Sequence, residues 1–537
     1  MYCNQCEQTA KGLACTVSGV CGKKPEVAML QDILLYAVKG LSIYLNEAHN
    51  RGISVEQMNR FTLETLFATL TNVNFDPERF VNWIYTAVKY RQALQEKLNF
   101  SSNDPAAQFE PARELPELLE QGESIKQITD DRDPDIQSLQ QLLLYGMKGI
   151  AAYAYHAQIL GREDIRVYKF IHQALTIIGS GHNKVDELVE WVFKCGEINL
   201  LTMQLLDEAN TGAYGHPVPT RVELGYKAGK CILVSGHDLK DLKDILEATE
   251  GTGIFVYTHG EMLPAHGYPE LKKHGHLYGN YGTAWFNQKK EFAAFPGAIL
   301  MTTNCIQEPA ANYKGNIFTT GTVGWPGVTY VKNGDFGPVI EKAKSMPGFT
   351  EDLDGGSVMV GFAHNTLTQV ADKIVDAINS GKLRRLLLVG GCDGARAARS
   401  YYTELVTKAP ADTAILTLGC GKYRFYNKQL GEIEGIPRLL DMGQCNDAYS
   451  AIKVAMALSE ACQCEVNDLP LSLVLSWYEQ KAVAVLLTLL YLGIKDIRIG
   501  PTLPAFVSPN VLNLLVEKFG LKPIGDVEAD LAAILQG

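Results

Sequence analysis

Seven apolar, β-branched runs in this chain each end on a residue able to bind a metal, and that regularity constrains the fold more than any other feature. KCILVSG runs into His237, IFVYTHG into Glu261, AILMTTN into Cys305 and RRLLLVGG into Cys392; AILTLG runs into Cys420, RLLDMGQ into Cys445 and LVLSWY into Glu479. Each run has the length and branching of a buried strand, and most close on Gly, Asn or Gln before a helical pattern begins. In open α/β sheets, ligands gather outside the carboxyl ends of the strands. Four cysteines, one histidine and two glutamates at such ends are therefore expected to face one crevice, which is the layout of a metal cluster site.

With 537 residues the chain exceeds what one core usually holds, so several domains are expected. A hydrophobic share of 46% with 20% charged residues describes an ordinary globular composition. The net charge of −11 argues against nucleic acid as a partner and offers no basic membrane patch. The opening MYCNQCEQTA has cysteines where a signal peptide would need a basic and then an apolar region, and no apolar run is expected to span a bilayer, so a cytoplasmic location is expected; a monomer is expected as well. In that compartment thiols stay reduced, and twelve cysteines read first as metal ligands.

Cys3, Cys6, Cys15 and Cys21 form one tight group, C-x2-C-x8-C-x5-C, interleaved with Gly12, Gly19 and Gly22. Glycine lets a short loop fold close around a cluster and aim amide N–H groups at the sulfurs, which favours iron and sulfide. Zinc is the rival, although structural zinc usually takes two closely spaced cysteine pairs. Four free thiols in so short a segment would be an oxidation liability. Cys195, Cys231, Cys462 and Cys464 stand outside both groups, and for Cys462 and Cys464 a packing or surface role is expected.

Residues 25–220 show helical periodicity and contain a repeat. LQDILLYAVKGLSIYLNEA (Leu30 to Ala48) returns as LQQLLLYGMKGIAAYAYHA (Leu139 to Ala157), so two related helix bundles are expected. The shared Tyr and Lys are expected to pack, with solvated lysine stems. Ser101 to Asp135, rich in Pro, Glu and Asp, reads as a surface connection. Beyond His216 strand and helix alternate, with a second series opening near Ser357. The expected fold is multidomain: an all-α region of two related bundles over 1–220, then Rossmann-like α/β domains with parallel sheets over 221–355 and 356–537. Neither a G-x-G-x-x-G fingerprint after a strand nor a G-x4-G-K-[ST] loop is present, so the shape need not carry nucleotide.

Each strand-end residue has a plainer alternative: a buried small cysteine, or a carboxylate capping the next helix. Recurrence at all seven ends favours ligation, and mixed thiolate, imidazole and carboxylate donors suggest an asymmetric cluster with one sulfur-rich and one oxygen-ligated end.

CNQCEQTAKGLACTVSGVC, SGHDLKD, THGEMLPAHGYP, MTTNCIQEP, VGGCDGAR, LGCGKYRFY, GQCNDAYSA and SWYEQKAV together resemble the hybrid-cluster (prismane) proteins, or hydroxylamine reductases, over essentially the whole chain. The resemblance implies a 4Fe-4S cubane on Cys3, Cys6, Cys15 and Cys21. It also implies a hybrid iron–sulfur–oxygen cluster (4Fe-2S-2O) on His237, Glu261, Cys305, Cys392, Cys420, Cys445 and Glu479. Cys392 is the position at which the family carries a persulfide, and Lys481 matches a lysine near the cluster. The reaction implied is reduction of hydroxylamine to ammonia and water, with electrons from an external donor protein, and with His237, Glu261, Cys392, Glu479 and Lys481 as the catalytic set. Reduction of nitric oxide to nitrous oxide is a second activity implied. A non-turnover redox or nitric oxide sensor, an S-nitrosylase and a carbon-monoxide-dehydrogenase-like enzyme are the alternatives; the last would need nickel and further N-terminal cysteines.

Overall fold

A computed structural model of the chain describes residues 1–125, 133–179, 184–332 and 334–536. Its helical region comprises α1 (Pro25–Asn50), α2 (Glu56–Ala68), α3 (Pro77–Leu98), α4 (Leu115–Ile125), α5 (Pro134–Ile159), α6 (Ile165–Ile177) and α7 (Val185–Tyr214). The repeated segments are the long helices α1 and α5. Both start on a proline, whose missing N–H costs nothing at a helix start, with an acid in the first turn to meet the helix dipole. Both are apolar on most sides and bury nearly their full length.

The repeat also conserves a close approach. A Cβ at Gly40 would lie 2.1 Å from the carbonyl oxygen of Ala106, and one at the equivalent Gly149 would lie 2.7 Å from that of Gln480. Glycine is needed at both because another backbone occupies the side-chain space.

Three expectations for this region change. Lys39 and Lys148 are buried and not solvated: Lys39 faces Asp104 at 3.7 Å and Lys148 donates to Gln5 Oε1 at 3.0 Å, since each helix is enclosed on the face its lysine occupies. The stretch from Ser101 to Asp135 is not only connection, because α4 packs on α1 with Gly122 against Met29; residues 126–132 of it lie outside the described residues. Finally, α1 is long and apolar enough to cross a membrane, but 83% of its most apolar window is buried within the protein.

The first sheet contains β1 (Thr220–Glu223), β2 (Cys231–Ser235), β3 (Phe255–His259), β4 (Leu277–Asn280), β5 (Ala298–Met301), β6 (Ile317–Thr319), β7 (Thr329–Tyr330) and β8 (Ser357–Val360), in the order β7-β6-β5-β2-β3-β4-β1-β8. Strand β8, expected to open the second α/β unit, is instead the antiparallel edge of this sheet, with Val222 opposite Val358. All other pairings in it are parallel. After β9 (Arg385–Gly391), β10 (Thr413–Thr417) and a small hairpin of β11 (Glu432–Ile433) and β12 (Ile436–Pro437) come β13 (Leu439–Asp441), β14 (Leu471–Ser476), β15 (Arg498–Gly500) and β16 (Lys522–Pro523). The second sheet is parallel throughout, ordered β13-β10-β9-β14-β15-β16. The helix Gln480–Tyr491, which follows β14, packs on α5 and α7 and joins this sheet to the helical region.

Candidate metal centre

His237, Glu261 and Cys305 follow β2, β3 and β5, three adjacent strands of the first sheet. Gly236 turns the chain at φ +106°, and a Cβ there would meet Thr302 Oγ1 at 2.4 Å. His237 is buried; its backbone N–H donates to Thr303 Oγ1 at 2.9 Å, and its Nδ1 lies 3.0 Å from the carbonyl oxygen of Asn304. An Nδ1–H donated to that carbonyl leaves the Nε2 lone pair directed inward, the arrangement common to metal-binding histidines. Nε2 is 3.8 Å from Glu261 Oε2. That oxygen accepts the backbone N–H of Cys445 at 2.7 Å, whereas Glu261 Oε1 is buried without a hydrogen-bond partner. Ligand atoms of His237, Glu261 and Cys445 all lie within 4.8 Å of one another.

The second sheet supplies Cys392, Cys420, Cys445 and Glu479, after β9, β10, β13 and β14, again neighbouring strands. Gly391 (φ +108°) and Gly419 (φ +77°) bring these turns together, because a Cβ on either would enter backbone at 2.2–2.4 Å. Cys305, Cys392 and Cys420 share an apolar cluster with Trp285, Tyr423 and Tyr478. Glu479 does cap its helix, accepting the Lys481 N–H at 2.9 Å through Oε2, while Oε1 lies 3.9 Å from Lys481 Nζ. Lys481 Nζ is also 3.5 Å from Asn446 Oδ1.

The electrostatics fit a cationic guest. Burial pushes the thiols up, Cys392 to about 12 and Cys305, Cys420 and Cys445 well above the usual range, with the neighbouring glutamates adding to the rise. Burial likewise raises Glu479. Burial alone would lower Lys481, but Cys445, Glu479 and Cys305 around it, when ionised, hold it above its ordinary value. His237 is pushed well below its ordinary value by burial and then by Lys481, so it is neutral and its nitrogen is available to bind. The raised thiols of Cys305, Cys392, Cys420 and Cys445 and the raised carboxyl of Glu479 ionise more readily when a multivalent cation enters, because bound metal reverses this pKa pattern. The donors, the unsatisfied Glu261 oxygen and the inward imidazole therefore suit an iron cluster.

The N-terminal cysteines fold into a compact loop. Cys3 and Cys15 exchange backbone hydrogen bonds at 3.1 and 2.8 Å, and the Ala10 N–H donates to Cys15 Sγ at 3.4 Å. Burial raises Cys6 and Cys21; Cys3 adds to both, while Lys23 opposes them. Lys23 is itself buried, its Nζ donating to Gln31 Oε1 at 2.5 Å.

Several residues that strand-end reasoning missed join the two cysteine groups. Glu7 Oε2 accepts from the fully buried Arg399 at 2.9 Å, and Arg399 also donates to Ser476 Oγ and to the carbonyls of Cys392 and Trp477. Tyr478 is buried between the groups: its carbonyl accepts the Glu7 N–H at 3.0 Å and its hydroxyl donates to Gln8 Oε1 at 3.2 Å, while it shares an apolar cluster with Cys305 and its ring lies 4.6 Å from that of Trp285. The signal for both was adjacency, Glu7 directly after Cys6 and Tyr478 directly before Glu479. Tyr153, the second tyrosine of the repeat, donates to the Cys445 carbonyl at 3.2 Å. Because Glu7→Gln strands the Arg399 cation, a stability loss of roughly 3–5 kcal/mol is expected, read as a lower thermal midpoint with the N-terminal loop cleaved first under limited proteolysis. An unchanged midpoint would show that Arg399 is satisfied by its carbonyls alone.

A cavity of about 780 Å³ reaches Cys392 and Cys445 from the side of Asn467 and Lys495, between β14 and the helix Gln480–Tyr491. Leu473, Leu475, Val485 and Leu489 line part of it, and charged residues including Arg385, Glu465, Lys495 and Arg498 line the rest, so the stretch along the leucines suits small uncharged molecules. Of the remaining cysteines, Cys195 and Cys231 are fully buried in cores, and Cys462 and Cys464 are half-buried against the core of the second sheet.

Residues 1–532 match the Prismane/CO dehydrogenase family. A hydroxylamine reductase of Maridesulfovibrio salexigens is 61% identical over 536 residues, covering all of both chains. One from Methanocella arvoryzae is 56% identical, again over the full length of both. Among solved structures, carbon monoxide dehydrogenase IV from Carboxydothermus hydrogenoformans has a TM-score of 0.56 at 15% identity, covering 97% of this chain and 89% of its own, a likeness of fold alone. Matched end to end in this way, with the strand-end donors gathered in one buried site, the chain belongs to the Prismane/CO dehydrogenase family.

Proposed function

We propose that this chain is an iron–sulfur oxidoreductase that reduces hydroxylamine to ammonia and water. The observation that carries the reading is the meeting of His237, Glu261 and Cys445 within 4.8 Å at the edge of a thiol-rich pocket. Relatives that match the whole chain and bear the name hydroxylamine reductase support it. His237, Glu261, Cys305, Cys392, Cys420, Cys445 and Glu479 are the proposed holders of the hybrid 4Fe-2S-2O cluster, with a persulfide on Cys392 in the oxidised protein. Cys3, Cys6, Cys15 and Cys21 are the proposed holders of a 4Fe-4S cubane that receives electrons from a donor protein. When bound, the clusters supply the two electrons of the reaction and a Lewis-acidic position for the substrate.

The chain's own residues supply the rest. The cavity, apolar along Leu473, Leu475, Val485 and Leu489, offers a small neutral molecule a route to Cys392 and Cys445. Lys481, an ammonium held among Cys445, Glu479 and Cys305, is the proposed proton donor to the departing oxygen, with Asn446 fixing its position. Tyr478 and Trp285 fill the space between the two cysteine groups and shorten the path for electrons. The same apolar lining admits nitric oxide, which supports its reduction to nitrous oxide as a second activity.

Anaerobically purified protein is expected to contain iron and acid-labile sulfide without nickel, and to turn over hydroxylamine repeatedly with reduced methyl viologen, releasing ammonia. A single stoichiometric reduction at full iron loading would assign the chain to sensing. Stoichiometric nickel would assign it to carbon monoxide chemistry.

A further inference from the structure

The loop that carries the first four cysteines has a surface unlike the rest of the protein. Tyr2, Leu13, Val17 and Val20 are 43, 71, 81 and 58% exposed, a concentration of large apolar side chains in water within one short segment. Residues 1–25 contain three lysines and one acid, in a chain whose net charge is −11. That acid, Glu7, is buried against Arg396 and Arg399, so it does not reach the surface. Lys11 and Lys24 are exposed, as are Ala395, Ala397 and Ala398 on the neighbouring turn beside half-buried Arg396. On α1 the next acid, Glu26, is half-buried.

Apolar side chains exposed together mark a contact site, and a rim of one charge sign selects the opposite sign on the partner. We propose that this face docks a small acidic electron-transfer protein, with Leu13, Val17 and Val20 as the apolar centre and the exposed Lys11 and Lys24 as the steering rim. The inference rests on the reading that Cys3, Cys6, Cys15 and Cys21 hold an electron-accepting cluster. Cys3 and Cys21 are themselves half-exposed in this face, so a partner seated on it comes close to the sulfurs without any rearrangement. Small, transient contacts with charge steering are typical of such encounters.

The test uses the full-length iron-loaded protein and a dithionite-reduced acidic ferredoxin. Its oxidation is followed by stopped flow in the absence of hydroxylamine, so the result does not depend on the substrate assignment. In the wild-type protein the second-order rate is expected to fall on the order of tenfold from low to physiological ionic strength, as exposed opposite charges are screened. In the Lys11→Glu/Lys24→Glu variant, and separately in Val17→Asp, it is expected to fall at least tenfold at low salt, while reduction by methyl viologen is unchanged. A wild-type rate indifferent to salt, or variants that oxidise ferredoxin at the wild-type rate, would overturn the proposal. So would a wild-type dimer in sedimentation that Val17→Asp dissociates, since the face would then belong to a second copy of the chain. Failure of methyl viologen to reduce an iron–sulfur cluster that Cys6→Ser removes would instead sink the underlying cluster assignment.

Discussion

Cys392→Ala is expected to reduce hydroxylamine turnover to background while leaving the fold and the iron of the N-terminal loop in place. The turn that carries Cys392 is held by its backbone and not by its sulfur. The Cys392 N–H donates to the Ser476 carbonyl at 2.7 Å, and its own carbonyl accepts from Arg399 at 3.2 Å. Next to it, Asp393 is anchored to Arg424 at 2.9 Å. Alanine keeps each of these contacts, so the loss is confined to one thiol of the apolar cluster that also holds Cys305 and Cys420. The proposed persulfide at this position gives a second readout. Mass spectrometry of the oxidised wild-type protein is expected to find the added sulfur on the peptide containing Cys392, and alanine removes it. An active alanine variant, or added sulfur on another cysteine, would take the special role away from Cys392.

The second large effect is expected for Glu479→Gln. The glutamine oxygen can still accept the Lys481 N–H, so the cap of the helix Gln480–Tyr491 is kept and the thermal midpoint should stay near that of the wild type. What is lost is the buried carboxylate facing Lys481 Nζ and, in the proposed cluster site, a charged donor replaced by a weaker neutral one. Turnover should fall on the order of a hundredfold, as when groups at a metal site are replaced. The acidity of Lys481 should also change. Burial favours its neutral form while Cys445, Glu479 and Cys305 oppose this, so without that carboxylate its pKa drops. Wild-type turnover in Glu479→Gln would reduce Glu479 to its capping role.

Glu479 illustrates how far the sequence could be read. It follows the run LVLSWY and precedes a helical pattern, and both capping and ligation were open at such a position; the structure retains the cap and turns the second oxygen toward Lys481. The strand-end rule brought His237, Cys305 and Cys420 into view because it depends only on local periodicity and on the chirality of parallel sheets. Lys148 shows the opposite case. Nothing in LQQLLLYGMKGIAAYAYHA distinguishes a lysine reaching solvent from one enclosed beside Gln5, because the difference lies in what folds over that face from a segment more than a hundred residues away. Strand β8 was misplaced for a similar reason, since VMVG has a strand's composition whichever sheet it joins.

Determined by the sequence alone were the candidate donor types, their positions at strand ends, the glycines around Cys392 and the duplicated helix with its shared glycine, all properties of short segments. Tertiary structure alone decided that two separate sheets point the ends of β5, β2 and β3 and of β13, β10, β9 and β14 at one another. It also decided that Glu7 and Arg399 clamp the N-terminal loop beside them, that Tyr478 fills the gap, and that one lysine among many becomes the buried cation of the site. Burial and charge pairing act between residues distant in the chain, so their outcome exists only once the chain has folded.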